Sequence, residues 1–555
     1  MPSPGHARYC KSVLEWCRKH ADDPDVGPQL ERYGAAALVL WHLDLEPARA
    51  VLQACYAPNP RGGRPWDPVV MLRCFLLALL VGQPSLNDWA DDLSGSRILR
   101  VLAGIEPEDE ERPGVGTFYD FLARLHDGPV RKTCPHAERP SERQRRRART
   151  PRRLSRKEKV DAKKRKRESR RRKRRLQPDG TPLAGEAVEQ AVSATERVVA
   201  ELAAAKDMAN PNDLMERLGR ILLDVGVLES ARRGLLGDVS HLALGGDGSP
   251  LHTGANRHGR RACGHPRSER CDCPRHYSDP DAEWGYDSHR EEWFFGYHFY
   301  EVSTSVAGHD LPLALHLESA NSSDFTLSLL TVDRLTKRAR DRLEAWRAEY
   351  FIADAGHDAE PTYRYLIEQG TTPIIPLKAA ARATHPTRPE VHLSPRGVPT
   401  CQAGCEMAHW GSAGQGRVAF ICPIRAHKLE RCPLAPEDQP DWHCRPDQKW
   451  GPTVTIKTRD NPRLCPPLPR NTARFQQLYN LRSGCERSNS VKKEIFQLEA
   501  ARHRRASFWL TRLHLIAVLQ HARAWVAEVD ARAHVDFLLG HELTVGQEPT
   551  GRKAA

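Results

Sequence analysis

The stretch LALGGDGSPL, residues 242–251, decides the fold because it reads as a buried strand that ends at Asp247 and Gly248. Four more runs with the composition of strands follow it: EWFFGYHFYEVS (292–303), LPLALHLE (311–318), YFIA (350–353) and TTPIIPL (371–377). Helix-start residues separate the later runs, with several N-cap residues at 321–324 and Pro361 near the next start. The order β-β-β-α-β-α-β predicts a mixed α/β sheet with three antiparallel strands followed by crossover units.

The chain on either side of this sheet divides into segments of different composition. Apolar residues recur at helix spacing before residue 135, whereas Pro, Gly, Cys and Trp are concentrated after residue 378. The predicted organisation is an all-α N-terminal domain at 1–135, a basic disordered linker at 136–180, a helical connector at 181–236, the first part of the α/β core at 237–377, a β-rich, Cys-containing insertion at 378–467, C-terminal core helices at 468–535 and a tail at 536–555.

The net charge of +13 comes from one short segment. Residues 141–175 contain 21 Lys or Arg against four acidic residues, a net charge of +17 that leaves −4 for the rest of the chain. Such a segment repels itself and cannot pack a core, so it predicts an extended run that binds a polyanion through its phosphates. The alternative is a solvated linker that contacts nothing.

The sequence also predicts where the protein resides. No apolar run reaches the roughly 20 residues that a membrane-spanning helix needs. The N-terminal residues lack the apolar centre of a signal peptide. We therefore expect a cytoplasmic protein without membrane association, and a polyanion partner such as DNA would place it at the nucleoid.

The 15 cysteines favour free thiols or metal ligands over disulfides in a chain of this kind. Candidate ligands of a structural zinc ion fall into two sets, Cys263, His265, Cys271 and Cys273 in the first and Cys401, Cys405, Cys422 and Cys432 in the second. Neither set has the spacing of a standard zinc finger, so reduced thiols in loops are the alternative.

Two aspartates stand at predicted strand ends. Asp247 lies in GGDGS and Asp354 in ADAGHD, each followed by a small residue. Carboxylates at the carboxyl ends of strands project into the crevice where open α/β sheets bind ligands, and two of them can share hard divalent cations. An Asp followed by Gly or Ala is, on local evidence, more often only a turn residue.

A third carboxylate belongs to a polar helix stripe. In FQQLYNLRSGCERSNSVKKE, residues 475–494, Tyr479, Arg482, Glu486 and Lys493 are spaced so that one helix would align them along one stripe. A carboxylate flanked by Arg, Lys and Tyr suits metal binding beside a phosphate backbone. A solvated helix face with an Arg482–Glu486 ion pair explains the same spacing equally well.

The pattern Tyr-x2-Arg-x3-Glu-x6-Lys of these four residues resembles, at every position and gap, the signature of the YREK-type insertion-sequence DDE transposases. The stretches GGDGS (245–249) and ADAGHD (353–358) resemble the two aspartate motifs of that family, although His357 stands where the family usually has Tyr or Phe. Residues 61–93 and 113–125 resemble its helical N-terminal domain. The resemblance leaves residues 139–236 poorly matched.

The resemblance implies a ribonuclease-H-like catalytic core. Asp247, Asp354 and Glu486 would bind two Mg²⁺ or Mn²⁺ ions and catalyse DNA strand cleavage and strand transfer. The protein would then be a Mg²⁺-dependent DDE transposase of a bacterial insertion sequence that binds terminal inverted repeats.

The resemblance also implies the contacts with DNA. Tyr479 and Arg482 would bind the phosphate at the transposon end, and Lys493 the neighbouring backbone of the double-stranded DNA. A tryptophan of the insertion would stabilise a flipped base, with Trp410, Trp442 and Trp450 as candidates. Synapsis of two transposon ends would require a homodimer on DNA.

Three other interpretations stay open at this point. The chain could be a catalytically inactive or domesticated transposase relative that binds DNA without cutting it. It could be a zinc-stapled DNA-binding protein that relies on the basic run, which gives no reason for the polar stripe. It could also be a metal-dependent nuclease that cuts DNA without joining it.

Overall fold

The computed structural model describes residues 2–57, 65–108, 111–128, 145–146, 194–202, 213–261, 263–265, 275–287, 290–378, 383–385, 388–439 and 442–541. The basic run therefore lies outside the described residues, apart from the backbone of residues 145–146. Within these ranges, no helix combines the length and the apolar character needed to cross a membrane.

A six-stranded mixed sheet forms the centre of the α/β core. Its strands are β1 (Leu242–His252), β2 (Glu283–Asp287), β3 (Glu292–Val306), β4 (His309–Ser319), β5 (Ala348–Ile352) and β6 (Thr372–Ile374). Strand β3 pairs antiparallel with β1, β2 and β4, whereas β5 runs parallel to both β1 and β6. The predicted mixed α/β sheet is thus confirmed, and its strand order, β2-β3-β1-β5-β6 with β4 also paired to β3, is consistent with a ribonuclease-H-like core.

The first strand continues past the point where the sequence predicts its end. Asp247 and Gly248 lie in the middle of β1, which keeps its pairing with β3 until His252 faces Gly296. The reason is the length of β3, whose aromatic and β-branched residues offer backbone partners along the whole of β1. The prediction that Asp247 ends a strand is therefore wrong.

Helices cover the sheet and build the part of the chain before it. The helices before the sheet are α1 (Pro4–Lys19), α2 (Val26–His42), α3 (Arg49–Gln53), α4 (Pro68–Leu80), α5 (Leu86–Gly95), α6 (Arg97–Ala103), α7 (Val115–Asp127), α8 (Leu214–Ile221) and α9 (Leu228–Arg232). Those within and after it are α10 (Asp324–Arg340), α11 (Glu360–Glu368), α12 (Ala473–Asn480), α13 (Ser483–Ser490), α14 (Ala506–Trp525) and α15 (Ala531–Leu539). A π-helical turn, Leu222–Val227, joins α8 to α9.

Local capping explains several of these helix starts. Asp67 accepts hydrogen bonds from the N–H groups of Val69 and Val70, and Pro68 occupies the first turn of α4, where its missing N–H costs nothing. Thr472 caps α12 through the N–H of Phe475. Most of α4 is buried, as its almost uninterrupted apolar sequence requires.

The C-terminal helices join the N-terminal helices to the sheet in one apolar core. Helix α14 packs against β4, the π-helical turn, α2 and α4, while α15 packs against α1 and α2. Val535 and Leu538 of α15 are buried in that core. Helix α15 therefore crosses the predicted boundary between the core helices and the tail at residues 535 and 536.

The segment after β6 forms a small β module with its own core. Its strands are β7 (Ala383–His385), β8 (Arg388–Leu393), β9 (Ala408–Ser412), β10 (Arg417–Ile421) and β11 (Val454–Lys457). Asp358 fastens both ends of this module, because its carboxylate accepts the Lys378 N–H at 2.8 Å and the Arg463 Nη2 at 2.7 Å. Both ends of the module are therefore held by a residue that lies four positions after Asp354.

Candidate active site

The helix that carries the polar stripe is not continuous. Helix α12 ends at Asn480, α13 begins at Ser483, and a π-helical turn, Val491–Ile495, follows. Tyr479 therefore lies on α12, Glu486 on α13 and Lys493 in the π-helical turn. The expectation that one helix aligns the four residues along one stripe is wrong, because the break at Leu481 and the wider π-helical turn both change the register.

Arg482 connects two of the three predicted carboxylates. Its Nη2 donates to Glu486 Oε1 at 2.6 Å, and its Nη1 lies 3.8 Å from Asp247 Oδ1. Glu486 is half exposed, whereas Arg482 and Asp247 are largely buried. The Arg482–Glu486 ion pair expected from the i, i+4 spacing is present, and the same guanidinium also reaches Asp247 on strand β1.

Asp354 is held in place by a neighbour that the family resemblance does not include. It follows β5 and caps a single 3₁₀ turn, accepting from the Gly356 N–H at 2.9 Å and from His357 Nδ1 at 2.7 Å. The buried Tyr300 hydroxyl lies 3.0 Å from His357 Nε2. Because an ionised carboxylate can only accept, Nδ1 carries a proton, and Nε2 is hydrogen-bonded to the Tyr300 hydroxyl. His357 thus orients Asp354.

The three predicted carboxylates, Asp247, Asp354 and Glu486, interact electrostatically with one another and with a fourth, Asp324. Burial raises the pKa of Asp247 to about 7, and the charges of Asp324, Glu486 and Asp354 reinforce that increase against the opposing charge of Arg482. Asp354 behaves differently. Burial opposes its ionisation, but the hydrogen bond and charge of His357 outweigh burial and lower its pKa.

Asp324 is the residue that sequence reasoning did not single out as a site residue. It begins α10, and its Oδ1 accepts a short hydrogen bond from His298 Nε2. Burial opposes its ionisation, but His298 outweighs burial, so its pKa is also lowered. Gly248 makes room for this pair, since a Cβ there would collide with the Asp324 carboxylate. The sequence showed Asp324 only as one of several helix-capping residues.

The other two residues of the signature are partly buried. The Lys493 ammonium donates to the Pro250 carbonyl at 2.9 Å, and burial lowers its pKa. Tyr479 stacks on Phe475 with ring centroids 6.2 Å apart and contributes to the electrostatic environment of Arg482. Arg482, Glu486 and Lys493 therefore border β1 between Asp247 and Pro250, and Tyr479 is linked to this region through Arg482.

These oxygen donors suit hard divalent cations, which prefer carboxylate ligands. Burial and the other three carboxylates disfavour ionisation of Asp247, which a bound cation would reverse. Among the described residues, no three His, Cys, Asp or Glu side chains are arranged so that they could hold one metal ion in common. In this structure, the Arg482 guanidinium lies between Asp247 and Glu486 and contacts both carboxylates.

The two predicted zinc sets fare differently. Cys271 and Cys273 lie outside the described residues, whereas Cys263 is half-buried and His265 is exposed. All four cysteines of the second set line one cavity of the β module together with Cys444.

A known protein family matches the part of the chain that contains most of this site. Residues 257–519 match the family model of the transposase DDE domain. The matched segment contains Asp354 and Glu486 and begins ten residues after Asp247. No curated protein and no solved structure matches the chain.

The family match supports a DDE transposase. The substrate of such enzymes is DNA, and they generally use divalent metal ions. A nuclease or transposase activity is accordingly the class of reaction that this domain suggests.

Proposed function

We propose that the protein is the DDE transposase of a bacterial insertion sequence, which binds the terminal inverted repeats and catalyses metal-dependent strand cleavage and strand transfer. One observation carries the proposal. The segment that matches the transposase DDE domain contains Asp324, Asp354 and Glu486, the three carboxylates whose charges act on Asp247. A non-enzymatic DNA-binding protein gives no reason for that cluster.

Asp247, Asp354 and Glu486 would hold two Mg²⁺ or Mn²⁺ ions. Such ions supply Lewis-acid stabilisation of the in-line displacement and activate the attacking water or 3′-hydroxyl. His357 keeps the Asp354 carboxylate oriented and ionised, because its Nδ1–H donates to Oδ1 at 2.7 Å.

Arg482 would contribute to phosphate binding. Arg482 contacts Asp247 and Glu486, and its N–H fork would be available to a phosphate if these two carboxylates held a cation instead. Tyr479 would border the same phosphate, and Lys493, which keeps two donors beyond its bond to Pro250, would reach the neighbouring backbone.

Trp410 is the best placed of the three tryptophans for stacking with a flipped base. It is 51% exposed on β9, and its ring lies 4.3 Å from that of Trp450 between centroids. An exposed aromatic ring that is supported by a second ring provides a surface on which a base can stack. Because synapsis joins two transposon ends, we propose that the chain acts as a homodimer on DNA.

The decisive assay uses the purified chain, Mg²⁺ or Mn²⁺, and labelled DNA that carries the terminal repeat of the element. A duplex with a scrambled terminal sequence is the matched control. We expect end-specific nicked or hairpinned products and joined products that require the metal. Cleavage without joined products would identify a nuclease, whereas specific binding without cleavage would identify the inactive relative.

The basic run gives a separate prediction. Deletion of residues 141–175, which carry a net charge of +17, should weaken DNA binding by at least about tenfold at about 100 mM salt and reduce the slope of log K against log salt. Fluorescence anisotropy across a salt series measures both quantities. A variant that keeps the length of the segment but replaces its Lys and Arg with Gln should behave like the deletion. Unchanged binding in both variants would contradict the prediction.

A further inference from the structure

The β module contains a long connection that little secondary structure supports. Between the end of β10 at Ile421 and the start of β11 at Val454 the chain runs for 32 residues, and those the structure describes contain turns but no helix or strand. The apolar core beside it is small, with nine buried side chains. Connections of more than about 12–15 residues without secondary structure are uncommon in compact domains, and small cores usually need an additional cross-link.

Five cysteines line one cavity at this connection. Cys401 and Cys405 come from the loop between β8 and β9, Cys422 directly follows β10, and Cys432 and Cys444 belong to the long connection. The remaining wall is formed by Gln402 and by apolar or proline side chains: Ala403, Pro423, Ile424, Leu429, Pro433 and Leu434. Five thiols from three separate segments thus meet in an almost entirely apolar environment.

The first two cysteines have the local geometry of a metal-binding turn. The Cys401 N–H donates to the Cys405 carbonyl at 2.9 Å, and the Gly404 N–H donates to the Cys401 carbonyl at 2.9 Å. Gly404 has φ = +75°, a left-handed conformation that glycine adopts without strain. Two cysteines separated by two to four residues on a tight turn are a recurring half of structural zinc sites.

Three of the five thiols, Cys401, Cys422 and Cys432, lie close to both Cys405 and Cys444. Cys405 is within electrostatic range of all three. Cys444 is within electrostatic range of the same three, and all five line one cavity. Cys401, Cys422 and Cys432 therefore form the common part of the cluster, and either remaining cysteine could complete four ligands.

We propose that Cys401, Cys405, Cys422 and Cys432 bind one structural Zn²⁺ ion as a closed tetrahedral tetrathiolate site. Cys405 is the fourth ligand because it shares the tight turn with Cys401, and Cys444 lines the cavity without binding. Loading converts four thiols and one Zn²⁺ into a Zn(S-Cys)₄ centre of charge −2 and releases four protons. In the described residues the side chains are not yet at a common ligand distance, so binding includes their rotation into the cavity.

The site would tie the long connection to the module at two points. Cys401 and Cys405 lie in the β8–β9 loop, whereas Cys422 and Cys432 bracket the first part of the connection. Near the end of the connection, the Cys422 N–H donates to the Trp450 carbonyl, and the Trp450 ring lies beside Trp410. Zinc would therefore also fix Trp450 beside the exposed Trp410 ring. With four protein ligands the ion has no open position and does not catalyse.

The proposal is tested on the full chain, purified with a thiol reductant and without chelators. Inductively coupled plasma mass spectrometry measures zinc per chain for wild type, Cys422→Ser, Cys432→Ser, Cys444→Ser and Cys465→Ser. We expect the first two variants to lose about one equivalent relative to wild type. Cys465→Ser is the matched control, because Cys465 is buried in the core of the same module and does not line the cavity. It should retain the zinc, as should Cys444→Ser.

A second measurement does not depend on the folding of any variant. Wild-type protein loaded with Co²⁺ should show the near-ultraviolet thiolate charge-transfer bands and the intense visible bands of a tetrahedral tetrathiolate. Absence of metal from wild type grown with added zinc would overturn the proposal. So would zinc retention in both Cys422→Ser and Cys432→Ser, or a disulfide between any of the four cysteines in the native protein. These results do not depend on whether the protein is a transposase.

Discussion

Glu486→Gln is expected to reduce DNA cleavage by at least ~1,000-fold, because loss of a metal ligand removes about 4 kcal/mol of transition-state stabilisation. The amide has nearly the same shape as the carboxylate and can still accept the hydrogen bond that Arg482 Nη2 donates at 2.6 Å. The fold around α13 should therefore be preserved. Cleavage rates at saturating Mg²⁺ and the dissociation constant for the terminal repeat are the two measurements.

The control for this variant lies on the same stretch of chain. Glu494→Gln removes one negative charge from an exposed position in the π-helical turn, eight residues from Glu486. Its cleavage rate should match that of wild type. Cleavage by Glu486→Gln at the wild-type rate would exclude Glu486 as a ligand, whereas equal loss in both variants would point to a general charge effect.

Lys492→Met is expected to lower the free energy of unfolding of the catalytic core by about 3–5 kcal/mol, the typical result of removing one partner from a buried ion pair. Lys492 and Glu301 are both fully buried and form a short ion pair. The Lys492 ammonium also donates to Ser488 Oγ at 3.0 Å. Without the ammonium, the Glu301 carboxylate stays buried without an opposing charge. Urea denaturation followed by tryptophan fluorescence measures the effect.

The double variant Lys492→Met, Glu301→Leu separates this explanation from simple loss of packing. When both charges are replaced by apolar groups of similar volume, stability should return to within about 1–2 kcal/mol of wild type, since no charge remains to be desolvated. If the double variant is less stable than Lys492→Met, packing and not the ion pair is responsible. Glu301 is also the cross-strand partner of Asp247 on β3, so the pair supports the strand that carries the site.

The parts of this fold that the sequence could predict are those set by local patterns. Strands β1, β3, β4 and β5 were recognisable because buried strands need apolar, β-branched and aromatic residues. Asp354 was found because it directly follows a short apolar strand. Its partner His357 was seen only as a departure from the family, since its bond to Tyr300 joins residues 57 positions apart.

The parts that could not be predicted depend on contacts between distant residues. The end of β1 is decided by the length of β3, and the break at Leu481 is decided by the way α12 and α13 pack on different parts of the sheet. Asp324 and His298 meet only because Gly248 leaves room for them. The five cysteines gather in one cavity although they are spread over more than 40 residues of sequence. The spacing of residues along the chain does not predict such long-range contacts.

The packing of α14 and α15 on α1, α2 and α4 has a consequence for the time course of biosynthesis. The ribosome completes α2 roughly 500 residues before it completes α15, which at about 5–20 residues per second is a delay of about 25–100 s. During that interval the apolar faces that later receive α14 and α15 have no intramolecular partner. We therefore expect nascent chains to need chaperone protection for longer than their helical N-terminal sequence alone would suggest.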